Sequence, residues 1–208
     1  MNIFLFVLHS LFSVRDGNGV VLRSDKIWIT KGECMQNFMT MMAAAALMLG
    51  CASLVDAQDT RESAVAHMRK VEPKEMDPTF TKAAPLAQKL VDDALAAHPE
   101  VILLAIHGGA PKYDIIASNF GRIGKLGDED DLRCIRTGKS NLEVDATGKH
   151  FEAELPLLDK SGHVVGALGV VFNYKPGDDK AANEKMANEI RNAMKARIAS
   201  SASLFGPA

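Results

Sequence analysis

Residues Glu154 to Val171 read ELPLLDKSGHVVGALGVV, two apolar runs around the polar tetrad Asp159-Lys160-Ser161-Gly162. Asp, Ser and Gly in that order supply a side-chain acceptor and a residue tolerant of positive φ, so the tetrad is a hairpin turn and its flanks are antiparallel strands. Upstream, Phe151, Ala153, Leu155 and Leu157 alternate with Glu152, Glu154 and Pro156, the period of a strand with one buried face. Downstream, Val164 to Tyr174 is apolar on both sides, which predicts a central strand.

Outward from this hairpin the pattern continues. Thr147-Gly148-Lys149 marks another turn, so strands are predicted at about 140–146, 150–158 and 163–174. Asp128-Glu129-Asp130-Asp131 opens a short helix to about Arg136, because carboxylates favour the positive end of the helix dipole and Gly138 can end it. Val101 to His107 and Tyr113 to Asn119 predict a second hairpin around Gly108 to Pro111. Asp77 as N-cap, Pro78 at the first helical position and apolar residues from Phe80 to Leu95 predict a helix over about 79–97, ended by His98-Pro99. Residues 58–78 read as a lead-in, with a helix-favouring stretch from Asp59 to Val71 and two prolines after it. Met186, Ile190, Met194 and Ile198 form the stripe of a helix over about 179–198, and 201–208 reads as a tail.

The N-terminal quarter differs in kind. Met39 to Leu49 is apolar except for one Thr, and Val55-Asp56-Ala57 precedes Gln58, which together predict a secretory signal over 35–57 cleaved after Ala57. Met48-Leu49-Gly50-Cys51 also resembles a lipobox, which would place a lipid on Cys51. The expected location is therefore extracytoplasmic, periplasmic or secreted, either soluble or lipid-anchored. Residues 1–34 hold a separate apolar patch, Ile3 to Phe12, and read as an extension created by start-site choice, with translation beginning near Met35. After cleavage only Cys134 remains, which excludes an intramolecular disulfide. A net charge of -2 gives no electrostatic case for nucleic acid.

The order helix, two strands, short helix, three strands, helix on an exported chain resembles the extracytoplasmic PAS-like sensor modules called Cache domains. The quoted stretch carries the likeness: a strand ending in P-x-x-D, from Pro156 to Asp159, meets a G-x-x-x-G-x-x-G-V strand from Gly162 to Val170 through a tight turn. The likeness covers about 79–174 and implies an α+β domain over 79–200. Its five-stranded antiparallel PAS/Cache-like sheet would be flanked by an N-terminal helix, a short connecting helix and a C-terminal helix. It also implies a ligand pocket between one sheet face and the connecting segments.

Asn119 to Gly127, NFGRIGKLG, is the most function-like segment, because three glycines admit close backbone approach while Arg122 and Lys125 bring positive charge. It reads either as a ligand loop or as a flexible connector with solvated charges. Tyr113, Asn119, Arg122, Lys125 and Arg136 are the candidate contacts for a small anionic metabolite, such as a carboxylate. Asp128 to Asp131 lacks the spacing of a calcium loop and reads as helix capping. His67, His98, His107, His150 and His163 form no metal-binding sequence pattern, so only the fold could assemble a metal site from them. Glu152 and Glu154 share a strand face and read first as solvated, with paired carboxylates as the alternative. Ser118 and Ser161 lack a nucleophile elbow, and no enzyme, metal or cofactor is expected. The expected function is an exported small-molecule-binding, sensor-type domain. The alternatives are an envelope interaction module that dimerises or docks on a membrane receptor, and a haem carrier using His107 or His163.

Overall fold

In a computed structural model the described residues are 58–208. The expected extension, the signal and Cys51 lie outside them. The elements are α1 (Arg61–His67), a 3-10 turn (Pro73–Glu75), α2 (Pro85–Ala97), β1 (Val101–Gly108), β2 (Asp114–Ser118), α3 (Glu129–Thr137), β3 (Asn141–Val144), β4 (His150–Leu158), β5 (Val164–Asn173), α4 (Lys180–Lys195) and a final 3-10 turn (Ser201–Phe205). The five strands form one antiparallel sheet in the order β2-β1-β5-β4-β3, with β5 central as its two-sided apolar sequence predicts. This is the expected α+β arrangement, a five-stranded antiparallel sheet flanked by helices. Among the described residues no helix is long and apolar enough to cross a membrane.

The period-2 pattern sorts the two faces. Leu104, Ile106, Phe151, Ala153, Leu155, Leu157, Leu168, Val170 and Phe172 pack with Leu90 and Val91 of α2 and Ile190 and Met194 of α4 into the apolar core. The opposite face presents residues such as Ala105, His107, Glu152, Glu154 and Gly169 towards α3 and the β2–α3 loop.

Three expectations change. The first long helix begins at Pro85, not near residue 79, and its N-cap Ala84 makes no side-chain cap. A missing cap costs about 1 kcal/mol, whereas each fully buried Leu or Val contributes about 1.5–3 kcal/mol, so packing sets the helix. Asp77 instead accepts from the backbone N–H and hydroxyl of Thr79 and pairs with Lys112 at 2.7 Å, closing a turn before the helix. The lead-in is anchored: Arg61 donates to the carbonyls of Val101, Leu95 and His98, and Asp59 meets Asn173 and His150. The tail forms a turn whose Leu204 is fully buried in the core, and Gly206 O accepts from Leu86 N.

Candidate functional site

On the face opposite the core, β1, β4 and β5 present small residues where a pocket needs room. Ala105, Gly169 and Glu154 lie across one row of the sheet, since Ala105 pairs with Gly169 and Gly169 with Glu154. A Cβ on Gly169 would sit 3.2 Å from Glu154 Oε1, so the glycine makes space for that carboxylate. One turn of pleat further on, a register shift between Ile106 and His107 in the β1–β2 pairing sets the position of His107.

α3 closes the other side. Its N-terminus is a capping box in which Asp128 accepts from Asp131 N and the Asp131 carboxylate accepts from Asp128 N at 2.8 Å. The expected capping role of the acidic cluster is therefore correct for Asp128, but Asp131 does more. It is 2% exposed, and its Oδ2 lies 3.4 Å from His107 Nδ1.

The result is a pocket of about 220 Å³ lined by His107, Phe120, Ile115, Leu103 and Val171, by the carboxylates of Asp128, Asp130, Asp131, Glu143, Glu152 and Glu154, and by the cations Arg122 and Lys125. Six acids face two bases, so the lining is acidic. His107 is 5% exposed, and its Nδ1 donates to the Tyr113 carbonyl at 3.2 Å, a bond that orients the ring. Burial pushes the His107 pKa down, against the pull of Asp131, and favours the neutral ring. Burial, reinforced by the neighbouring Asp131 carboxylate, pushes Glu154 up to about 10. Its Oε2 is buried and has no hydrogen-bond partner among the described residues. Glu152 is also raised, by burial and then by Glu143 and Asp145. His107, Asp131 and Glu154 each offer a ligand atom, all within 4.8 Å of one another, a set able to hold a metal ion.

The five candidate contacts separate. Arg122 and Lys125 line the pocket, but both are engaged: Arg122 donates to the Arg69 carbonyl and lies 6.0 Å from the Phe120 ring centroid, and Lys125 pairs with Asp128 at 3.5 Å. Tyr113 serves the site through its backbone carbonyl. Asn119 completes the β1 edge, accepting from Leu104 N and donating to Ile102 O, both at 2.9 Å. Arg136 pairs with Glu129 on the exposed side of α3. None of these last three side chains lines the pocket.

The Asn119 to Gly127 loop is not a flexible connector either. Lys125 bridges to Met76, Gly124 N and Lys125 O bond Ile115, and Leu126 N bonds Glu75 O. Gly124, at φ 90°, lies where a Cβ would be 2.6 Å from Phe80 O, so that glycine serves chain packing and not ligand approach. Glu152 and Glu154 are half-buried pocket residues, not a solvated face, because α3 covers them. Sequence reading singled out Glu152, Glu154, His107 and the acidic cluster separately, and no local signal joined them. His163 is exposed on the β4–β5 turn beside Asp159, outside this pocket.

Comparison with known proteins is sparse. No family model and no curated protein matches the chain. Among solved structures, a GAF sensor protein from Burkholderia vietnamiensis is similar at TM-score 0.41 and 12% identity, over 69% of this chain and 87% of that one. A type II free methionine-R-sulfoxide reductase from Thermoplasma acidophilum is similar at TM-score 0.40 and 12% identity, over 54% of this chain and 92% of that one.

Proposed function

We propose that the protein is an exported, Cache-type binding module whose ligand is small, positively charged and held in the acidic pocket between the sheet and α3. The observation that carries this reading is the lining itself, six carboxyl groups, Glu154 among them uncharged at neutral pH, around a space of about 220 Å³ with both cations already engaged. A carboxylate ligand, the expectation from Arg122 and Lys125, would meet repulsion from this lining, whereas a cation offsets charge that burial makes costly. Export rests on the apolar run from Met39 to Leu49 and the small residues before Gln58.

A thermal-shift series with the protein tests the ligand class. Amines and cationic amino acids should raise the unfolding temperature, by an amount equivalent to about 2.7 kcal/mol at a hundredfold excess over Kd, while carboxylates leave it unchanged. Glu152→Gln should weaken the response at least tenfold in apparent Kd. Stabilisation by carboxylates alone, undiminished in that variant, would overturn the assignment.

A further inference from the structure

We propose that His107, Asp131 and Glu154 form a binding site for a divalent transition-metal ion at the inner end of the acidic pocket. The inference rests on the reading that this pocket is a cation-binding site, and it adds a metal ion at its inner end.

The three side chains come from three separate elements, β1, α3 and β4, and their ligand atoms converge within 4.8 Å. Ligand atoms around an ion at 2.0–2.2 Å lie about 3–4 Å apart, so side-chain adjustments of under about 1 Å complete the set. The side chains of His107 and Asp131 are 7% and 3% exposed. Placing two carboxyl groups side by side in such a setting is unfavourable unless a proton or a metal ion lies between them. Glu154 Oε2 adds an independent observation: it is buried, and no described residue offers it a hydrogen bond. A polar atom in that state requires a partner, and the pocket is where that partner enters.

The imidazole supplies a nitrogen donor beside the two carboxyl groups. The Tyr113 carbonyl accepts from Nδ1, which also lies 3.4 Å from Asp131 Oδ2, and these two contacts fix the ring. One imidazole with two carboxylates suits first-row transition ions better than magnesium or calcium, which favour oxygen alone. Three protein ligands leave coordination positions open towards the pocket, as in metal sites that also receive a small molecule. Lys125, a cation of the pocket wall, is paired with Asp128.

Isothermal titration of metal-stripped protein with zinc, manganese or magnesium chloride tests the site. The expected result is one equivalent of zinc or manganese bound, magnesium bound at least tenfold more weakly, and at least tenfold loss of zinc affinity in Glu154→Gln and in His107→Gln. His163→Gln, outside the cluster, should bind as the native protein does. In the unaltered protein, zinc should shift the ¹⁵N resonances of the His107 imidazole, a readout independent of whether a variant folds. Absence of zinc and manganese binding, or zinc binding that leaves the His107 signals unmoved, would overturn the proposal. Organic cations that still stabilise the protein in the presence of a chelator would then show that the pocket reading survives without the metal.

Discussion

Glycines around the site show how a single Cβ is excluded for different reasons. At Gly166 an added Cβ would lie 2.0 Å from the His107 carbonyl oxygen, a backbone atom held in the β1–β5 ladder and unable to yield. Gly166→Ala should therefore destabilise the fold by about 3 kcal/mol, the upper end of ordinary overpacking, and lower the midpoint of urea unfolding accordingly. At Gly169 the neighbour is instead the end of the Glu154 side chain, which can move, so a substitution there acts on the pocket more than on stability. Cys134 belongs to the same scale. Burial, with Glu154 and Asp131 nearby, pushes its thiol up to about 12, in keeping with a packed side chain and not a nucleophile.

Elements hold one another through a few charged side chains that reach across chain ends. Arg61 of α1 donates to Leu95 O and His98 O, carbonyls at the end of α2, and to Val101 O at the start of β1, at 2.8, 3.0 and 2.9 Å. The carbonyls at a helix C-terminus lack intrahelical donors and carry partial negative charge, so a guanidinium is a suitable cap. Arg61→Ala should cost about 2 kcal/mol, as expected for charge-assisted hydrogen bonds at a half-exposed position, and should speed hydrogen exchange across residues 61–67. Unchanged exchange there would mean that Asp59, through Asn173 and His150, holds the segment without Arg61.

For the whole molecule, acid is the informative perturbation. Asp77 is held down to about 2 by Lys112 first and then by the hydroxyl and backbone N–H of Thr79, against an ordinary value of 3.8. Its folded-state pKa is depressed, so the stability it contributes is complete above about pH 4 and is lost as pH falls through about 2. Asp159 has the same sign: burial opposes its charge, but the backbone N–H groups of His163 and Ser161 and the His163 ring outweigh burial. Stability measured from pH 6 to pH 2 should decline over that window. Asp77→Asn should be less stable at pH 6 and show a shallower decline, with the two curves converging near pH 2. Curves that stay parallel would remove the Asp77–Lys112 pair from the acid response.

The sequence by itself determined the strands, the turns, the short capped helix and the central place of β5. Those features depend on interactions within a few residues: alternation in Phe151 to Leu157, the Asp159 to Gly162 turn, and the capping pattern at Asp128 to Asp131. Helix limits near residues 79–85 were less legible, because burial of Leu90, Val91 and Leu95 overrides a good local cap signal. Only the tertiary structure decided the site. His107, Asp131 and Glu154 are separated by 24 and 23 positions, and each has a sound local reading of its own as core, cap or strand polar face. The register of β1, β5 and β4 and the docking of α3 bring them within 4.8 Å, in surroundings where burial shifts the protonation of His107 and Glu154. The same packing turned the Asn119 to Gly127 loop from an apparent anion-binding segment into a wall whose cations are already paired.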